Sequence, residues 1–350
     1  MYEQGVIRPP SEASSLLVRV TRNCPWNQCV FCPAYKGTKF SKRSVEEIKG
    51  DIDSMAKEYG GYAFVESAFL QDADSLLLPT GDLLEILNYL KQKFPGVKRI
   101  TSYARAKTLK RKSVEELKEL KEAGLTRIHV GMESGSATVL KMIKKGITPD
   151  DIIGGGTRVM EAGISLSEYI MPGIGGRSLS EEHAIGTASI LNIVRPDFIR
   201  VRTFAMHPAS PMQKKVEEGT FVPMTDDEIV AEIRLLVSRL EETRSYFSCG
   251  DFSLNLLMQV DGYLNEKKSA MLAELDKFLS LTKRQKQIYS LLRRASFIAY
   301  PIEIVYDQKV IDQVTPEIEK LENSGKDGFN KYIQLLMSCQ LPQPQTENWT

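Results

Sequence analysis

Three cysteines, Cys24, Cys29 and Cys32, lie within nine residues in the segment CPWNQCVFC, while Cys249 and Cys339 stand alone. A C-x4-C-x2-C spacing on one short loop, made tight by Pro25, can present three thiolates to a metal ion or an iron–sulfur cluster. Five cysteines in 350 residues are too few for a disulfide scaffold, and an odd count cannot pair completely. Zinc normally draws four protein ligands; only one C-x2-C pair is present, and none of the three histidines is a sequence neighbour, which disfavours it. The spacing also matches the first three ligands of a plant-type [2Fe–2S] centre. That centre needs a fourth cysteine soon afterwards, and the next one is Cys249. What remains is three ligands and one open coordination position, and an open position in a cleft reads as catalytic rather than structural.

The elements that must position this loop are well punctuated. Ser44-x-x-Glu47, Ser113-x-x-Glu116, Thr225-x-x-Glu228 and Thr282-x-x-Gln285 are capping boxes, and Thr148-Pro149 supplies an N-cap followed by proline at the first helical position. Apolar residues at helical spacing follow, among them Ile48, Ile52 and Met55, then Leu117 and Leu120, then Ile229, Ile233, Leu236 and Leu240. A further helix is expected over residues 82–94. Short β-branched or aromatic runs between them predict strands at 16–21, 68–70, 99–102, 127–131, 165–170 and 198–203. Six strands alternating with helices mean βαβ units and a parallel sheet, either open or a partial barrel, with chemistry at the carboxyl ends of the strands. From about residue 246 the pattern becomes helical, with segments at 267–279 and 285–295. The organisation expected is an N-terminal arm over 1–14, a barrel over 15–245, a helical region over 246–335 and a disordered tail over 336–350.

On these residues the chain resembles the radical SAM enzymes, which carry three cysteines in the loop after the first strand of a partial (β/α)6 TIM-like barrel. Phe31 stands where the family has an aromatic residue before the last cysteine. The usual spacing is C-x3-C-x2-C, so one extra residue separates Cys24 from Cys29. The segment IHVGMESGS resembles the GxES strand of methylthiotransferase-like and Elongator-like members. The resemblance implies that Glu133, with Ser134 beside it, reaches S-adenosylmethionine (SAM). YIMPGIGG resembles the glycine segment that approaches the adenine, which points to Gly173. Where the family has Gly-Gly-Glu for the methionyl amine, this chain has Gln71-Asp72-Ala73-Asp74, so Asp72 or Asp74 would supply the oxygen. The implied cofactors are a [4Fe–4S] cluster on the three cysteines and SAM on its open iron. One electron cleaves SAM to a 5′-deoxyadenosyl radical that abstracts a substrate hydrogen; a reductant such as flavodoxin or ferredoxin is the implied partner. The C-terminal stretch from Leu254 resembles the helical tail of a subgroup that has Asp-His just before Asn-Leu-Leu; here the pair is Asp251-Phe252, so that histidine is lost.

The remaining residues are weighed individually. Arg200 and Arg202 alternate on the sixth strand and so face one way, as candidates for a carboxylate of SAM or substrate, with a structural salt bridge an equal reading. Tyr103 and Arg105 sit just past the third strand, at the site end. His129 reads as a core histidine, His183 as a solvated helix residue, and His207 as a residue that could face the cleft. Cys249 and Cys339 read as buried or free thiols, Cys249 alternatively as a ligand of a second site. Gly154-Gly155-Gly156 lacks G-x-G-x-x-G spacing and reads as close packing. The basic stretch over 98–121 is interleaved with glutamates and reads as a solvated face. With 46 basic and 45 acidic residues the charge is +1, which argues against a general nucleic-acid or membrane-surface binder. No apolar run approaches the ~18 residues of a membrane span, and the first residues lack a signal core, so a cytoplasmic protein is expected. The reading is a radical SAM enzyme acting on an unknown small molecule. An RNA-modifying radical SAM enzyme, or an iron–sulfur or zinc protein without SAM chemistry, are the alternatives.

Overall fold

The computed structural model describes residues 2–5, 7–59, 65–296 and 298–341. Its ten strands are β1 (Leu16–Arg19), β2 (Thr21–Arg22), β3 (Ser41–Lys42), β4 (Ser67–Gln71), β5 (Arg99–Ala104), β6 (Leu125–Glu133), β7 (Ser165–Ile170), β8 (Phe198–Val201), β9 (Tyr246–Ser248) and β10 (Asp261–Tyr263). The helices of the barrel region are α1 (Val45–Glu58), α2 (Thr80–Lys93), α3 (Ala106–Leu109), α4 (Val114–Glu122), α5 (Ala137–Met142), α6 (Pro149–Glu161), α7 (Gly176–Val194), α8 (Met212–Glu217) and α9 (Asp226–Arg239). The C-terminal helices are α10 (Leu264–Leu279), α11 (Lys283–Ala295), α12 (Gln308–Asn323) and α13 (Gly328–Cys339).

The strands form one sheet in the order β1-β4-β5-β6-β7-β8-β9-β10. The first six of these pair in parallel, as a partial (β/α)6 barrel requires. β9 then adds in parallel to β8, and β10 pairs antiparallel with β9. The sheet therefore continues past residue 245, where helices alone are expected from the pattern. Strands of three residues are too short to print an alternation. β2 and β3 form a separate antiparallel ribbon that closes the base of the cysteine loop.

Register fixes which side chains face inward. Phe69, Tyr103, His129 and Tyr169 line the lumen with neighbouring ring centroids 5.1 to 6.0 Å apart. The opposite face of the same strands, including Ile128, Val130 and Leu166, packs under the helices. The amino end of the barrel is plugged by a 3-10 turn, Pro10–Glu12. Its Glu12, fully buried, accepts from Ser15 Oγ at 2.7 Å and Arg99 Nη1 at 3.2 Å, and lies 3.4 Å from His129 Nε2. Burial opposes ionisation of Glu12, but these partners hold it below the usual carboxylate range. His129 is the core histidine expected; burial pushes it down to about 4, so it is neutral.

The C-terminal helices are tied to the barrel by two buried arginines of α11. Arg294 clamps Asp226 at the start of α9, at 3.2 and 2.5 Å. Arg293 donates to the carbonyls of Ser253 and Asn255. Those residues belong to the β9–β10 connection, which Asn255 in turn sews to β8 by donating to Val201 O and accepting from Thr203 N.

The glycine triplet lies inside α6 and serves close packing. A Cβ on Gly155 would stand 2.6 Å from the carbonyl oxygen of Ala106, whereas one on Gly154 would meet only the flexible stem of Lys110 at 3.2 Å. Gly155→Ala is therefore expected to destabilise by ~1–3 kcal/mol. Gly154→Ala is expected to be neutral or to stabilise by up to ~1 kcal/mol. Urea unfolding of the two variants checks the contrast; equal effects would contradict it.

Candidate functional site

The cysteine loop leaves β2 and is held at both ends by one side chain. Asp72, fully buried just beyond β4, accepts from Asn23 N at 3.2 Å before the loop and from Tyr35 Oη at 2.5 Å after it. Arg19 of β1 neutralises it at 2.9 Å. Asp72 was expected to receive the methionyl amine; its two oxygens are instead committed to the loop, and it acts as a positioning residue. Asp74 stands apart from the site. Its carboxyl, pushed up to about 6 by burial, accepts from Thr108 Oγ1 at 2.6 Å and Arg105 N at 3.2 Å, so it holds the turn after β5.

Cys24, Cys29 and Cys32 are half-buried free thiols. Burial first, then the neighbouring charges of Cys32 and Cys24, push Cys29 up to about 11, and Lys145 pulls it back. Burial likewise raises Cys32. Among the described residues no three Cys, His, Asp or Glu side chains close on one ion position. Cys249 is buried and Cys339 exposed, and neither joins the three.

Glu133 ends β6 in the left-handed region, at φ 61°, after a register shift that begins at Gly131. A Cβ on Gly131 would lie 2.5 Å from Glu133 Oε1, so that glycine makes room for the carboxylate. Glu133 accepts from Lys145 Nζ at 2.7 Å. Burial lowers the Lys145 ammonium, but the charges of Glu133 and Cys29 outweigh it and keep it protonated. Lys145 also stands 5.8 Å from the centre of the Phe31 ring, so Phe31, Glu133 and the cysteines meet around it. Lys145 is the site residue that sequence reading missed; one lysine of the pair Lys144-Lys145 carries no mark of which will be buried.

Ser134 and Gly173 do not open onto the cavity. Ser134 Oγ lies 2.9 Å from His183 Nδ1 of α7 and accepts from Ser136 N, and Gly173 N donates to Glu232 Oε1 of α9 at 2.7 Å. They shape the two strand-end turns, and Gly173 is required by its φ of 88°. His183 corrects a second expectation. It is fully buried, not solvated, and lies 3.7 Å from Glu232, neutral because burial pushes it down to about 4. Buried Glu168 on β7 has both carboxylate oxygens unpartnered among the described residues, and burial raises it well above the usual carboxylate range. His207 is also turned inward, its Nδ1 accepting from Ala209 N at 3.0 Å within its own turn.

The two arginines part company. Arg200 is paired with Asp251 of the β9–β10 connection and donates to Ser167 Oγ, so the structural reading holds for it. Arg202, just past β8, makes no ion pair among the described residues. Its guanidinium lies between the rings of Tyr169 and Phe252, 4.7 and 4.6 Å from their centres. Tyr103, its ring edge-to-face with Phe69 and His129, lies in the lumen and stays neutral because burial raises its phenol.

The family model of the Radical SAM superfamily matches residues 18–188, and the chain belongs to that superfamily. An uncharacterized methyltransferase of Pyrococcus horikoshii is 33% identical over 141 residues, 39% of this chain and 28% of the relative. A tRNA uridine(34) acetyltransferase of Methanocaldococcus infernus is 23% identical over 122 residues, 35% of this chain and 23% of the relative. The matched segment thus spans about a quarter of the length of these curated relatives. Among solved structures, the cobalamin-dependent S-adenosylmethionine radical enzyme OxsB, with aqua-cobalamin bound, shares the fold. It aligns with a TM-score of 0.51 and 15% identity, covering 92% of this chain and 58% of that one. A [4Fe–4S] cluster and SAM are the cofactors of the superfamily. The residues here fit them: three free thiols on one loop, a buried carboxylate with its lysine, and an arginine without an ion pair among the described residues, all at the carboxyl ends of the strands.

The support beneath these loops is titratable. Burial pushes Glu232 up to about 7, against an ordinary value of about 4.3. Between those values the unfolded chain is ionised while the folded chain holds the proton. This contribution to stability is full below the lower value and is lost as pH rises through the upper one, by at most ~1.4 kcal/mol per pH unit. Glu232→Gln keeps an acceptor for Gly173 N and removes the titration. Its stability relative to the parent is therefore expected to rise from about pH 5 to about pH 8 in urea melts; parallel curves would contradict this.

Proposed function

We propose that the chain is a radical SAM enzyme whose substrate is a small anionic molecule taken into the barrel lumen, with Arg202 as its anchor. The observation that carries this reading is the Arg202 guanidinium, held between Tyr169 and Phe252 with no ion pair among the described residues, the nearby Asp251 being paired with Arg200. Arg202 is half-buried, and a guanidinium partly withdrawn from water is ordinarily met by an ionic partner. Arg200, two residues away, has one in Asp251. Arg202 is left for a carboxylate or phosphate.

Cys24, Cys29 and Cys32 would hold the [4Fe–4S] cluster, and Glu133 with Lys145 would hold polar groups of SAM. Bound there, the cluster and SAM would supply one-electron chemistry that ends in abstraction of a substrate hydrogen. The chain's own residues position and exclude. Asp72 holds the cysteine loop at both ends. Phe252 and the β9–β10 connection cover the lumen, and the edge-to-face and tilted rings of Phe69, Tyr103, His129 and Tyr169 surround the reacting centre with groups that keep water out. No protein base is required at the lumen, which agrees with neutral His129 and neutral Tyr103.

Anaerobic reconstitution with iron, sulfide, dithionite and SAM is expected to yield 5′-deoxyadenosine, and Cys29→Ala is expected to abolish it. Absence of the product from a protein that has assembled a cluster would overturn the enzyme reading. Arg202→Met is expected to retain this substrate-free cleavage. In a screen of deuterated carboxylates and phosphates, the parent protein is expected to transfer deuterium into 5′-deoxyadenosine and the variant to lose at least about tenfold of that transfer. Equal transfer by both would remove Arg202 as the anchor.

A further inference from the structure

The cysteine loop is exposed on one side to a groove that no part of the proposed chemistry uses. Trp26, between Cys24 and Cys29, lays its indole against Gly146. A Cβ there would lie 2.3 Å from the ring, and the indole Nε1 donates to Lys144 O at 2.7 Å. Arg105 stacks on the other side of the indole, 5.3 Å from its centre, and donates to the carbonyls of Lys145 and Gly146. The loop is thereby pinned to the turn between α5 and α6. Trp26 and Gln28 form one wall of a groove of about 710 Å³, with Leu140 and Ile147 as its apolar floor.

The rim of that groove is positive. Lys107, Lys141 and Lys144 line it, all three are exposed, and none makes an ion pair among the described residues. The one carboxylate on the rim, Asp151, is already engaged by its own helix cap at Thr148 and by Lys110. This local excess stands out on a chain whose net charge is +1. It does not extend along the surface as a track: the neighbouring Lys110 is bound to Asp150, and Lys98 to Glu66.

We infer that this groove is the docking face for an acidic one-electron donor protein, one that presents carboxylates around an apolar contact beside its redox centre. The inference rests on the cluster reading above, since an electron is needed at Cys24, Cys29 and Cys32. One electron leaves the donor's flavin or iron–sulfur centre and one is taken up at the cysteine-bound site; no bond is made or broken. Trp26 and Gln28 place the docked partner within two residues of two of the three cysteines. Three unpaired lysines supply the steering that brings opposite charges together quickly and that salt screens. An RNA would seek a longer basic path and bases would need further aromatic platforms; the groove has one indole and three lysines, and a protein partner fits it better.

The test is binding of an acidic flavodoxin to the full chain, with and without reconstituted cluster, followed by calorimetry over a series of salt concentrations. Binding that weakens steeply with salt is expected, and the triple variant Lys107→Glu, Lys141→Glu, Lys144→Glu is expected to bind at least about tenfold more weakly. The variant's melting curve and its reduction by dithionite, followed by bleaching of the cluster's visible absorbance, are expected to match the parent. Unchanged flavodoxin affinity in the variant would overturn the inference, as would transfer RNA, and not flavodoxin, binding the parent and being lost in the variant. A protein that takes up no cluster fails the functional reading instead, whatever the lysines do. One that cleaves SAM with dithionite but binds the donor regardless of the lysines fails this inference alone.

Discussion

A single buried carboxylate holds the site together. Asp72 is out of contact with water, so its charge must be met within the protein or it would be strongly destabilising. It is met from three directions. Arg19 comes from β1, Asn23 N from the start of the cysteine loop and Tyr35 Oη from its end. Arg19 is itself shared with Glu3 of the N-terminal arm, and Arg43 adds a second bridge from that arm to the start of α1 through Asp51. The three thiols therefore sit on a loop whose two ends are fixed to the same point of the sheet. An extra residue between Cys24 and Cys29 can be absorbed in the middle of such a loop without moving its ends.

A second buried layer lies outside the barrel wall. Ser134, His183, Glu232 and Gly173 connect the turns after β6 and β7 to α7 and α9. Burial keeps His183 neutral and the Glu232 carboxyl raised, so the layer carries little charge into a dry region. Within the lumen the arrangement differs. Arg200 is cancelled by Asp251, and Lys145 by Glu133, whereas Arg202 lies between two aromatic rings with no ion pair among the described residues. Where charge is cancelled and where it is left over is thus the principal distinction between residues that build the barrel and those open to a ligand.

The C-terminal helices contribute through one connection. Arg293 and Arg294 of α11 fix the segment between β9 and β10, and that segment delivers Asp251 and Phe252 to the lumen arginines. Phe252 brings an aromatic face to Arg202, not a ligating nitrogen. The helical region is therefore coupled to the barrel's interior although its own surface is elsewhere.

Some of this is written locally in the chain. The cysteine spacing, the Ser44, Ser113, Thr148 and Thr282 caps and the strand runs at Ile128 and Tyr169 each depend on residues a few positions apart, and the element order follows from them. The glutamate at the end of β6 is legible for the same reason, because its turn is built from adjacent residues. Other features were set by contacts far along the chain. His183 meets Ser134 across 49 residues, Arg200 meets Asp251 across 51, and Asp72 meets Arg19 across 53. Whether a polar side chain is solvated, paired or left for a ligand is a property of what packs against it, and no spacing within one helix or strand encodes that. By itself the sequence determined the class of chemistry and the elements that carry it. Only the folded barrel decided that Asp72 holds both ends of the loop, that Lys145 joins Glu133, and that Arg202 lies between two rings without an ion pair among the described residues.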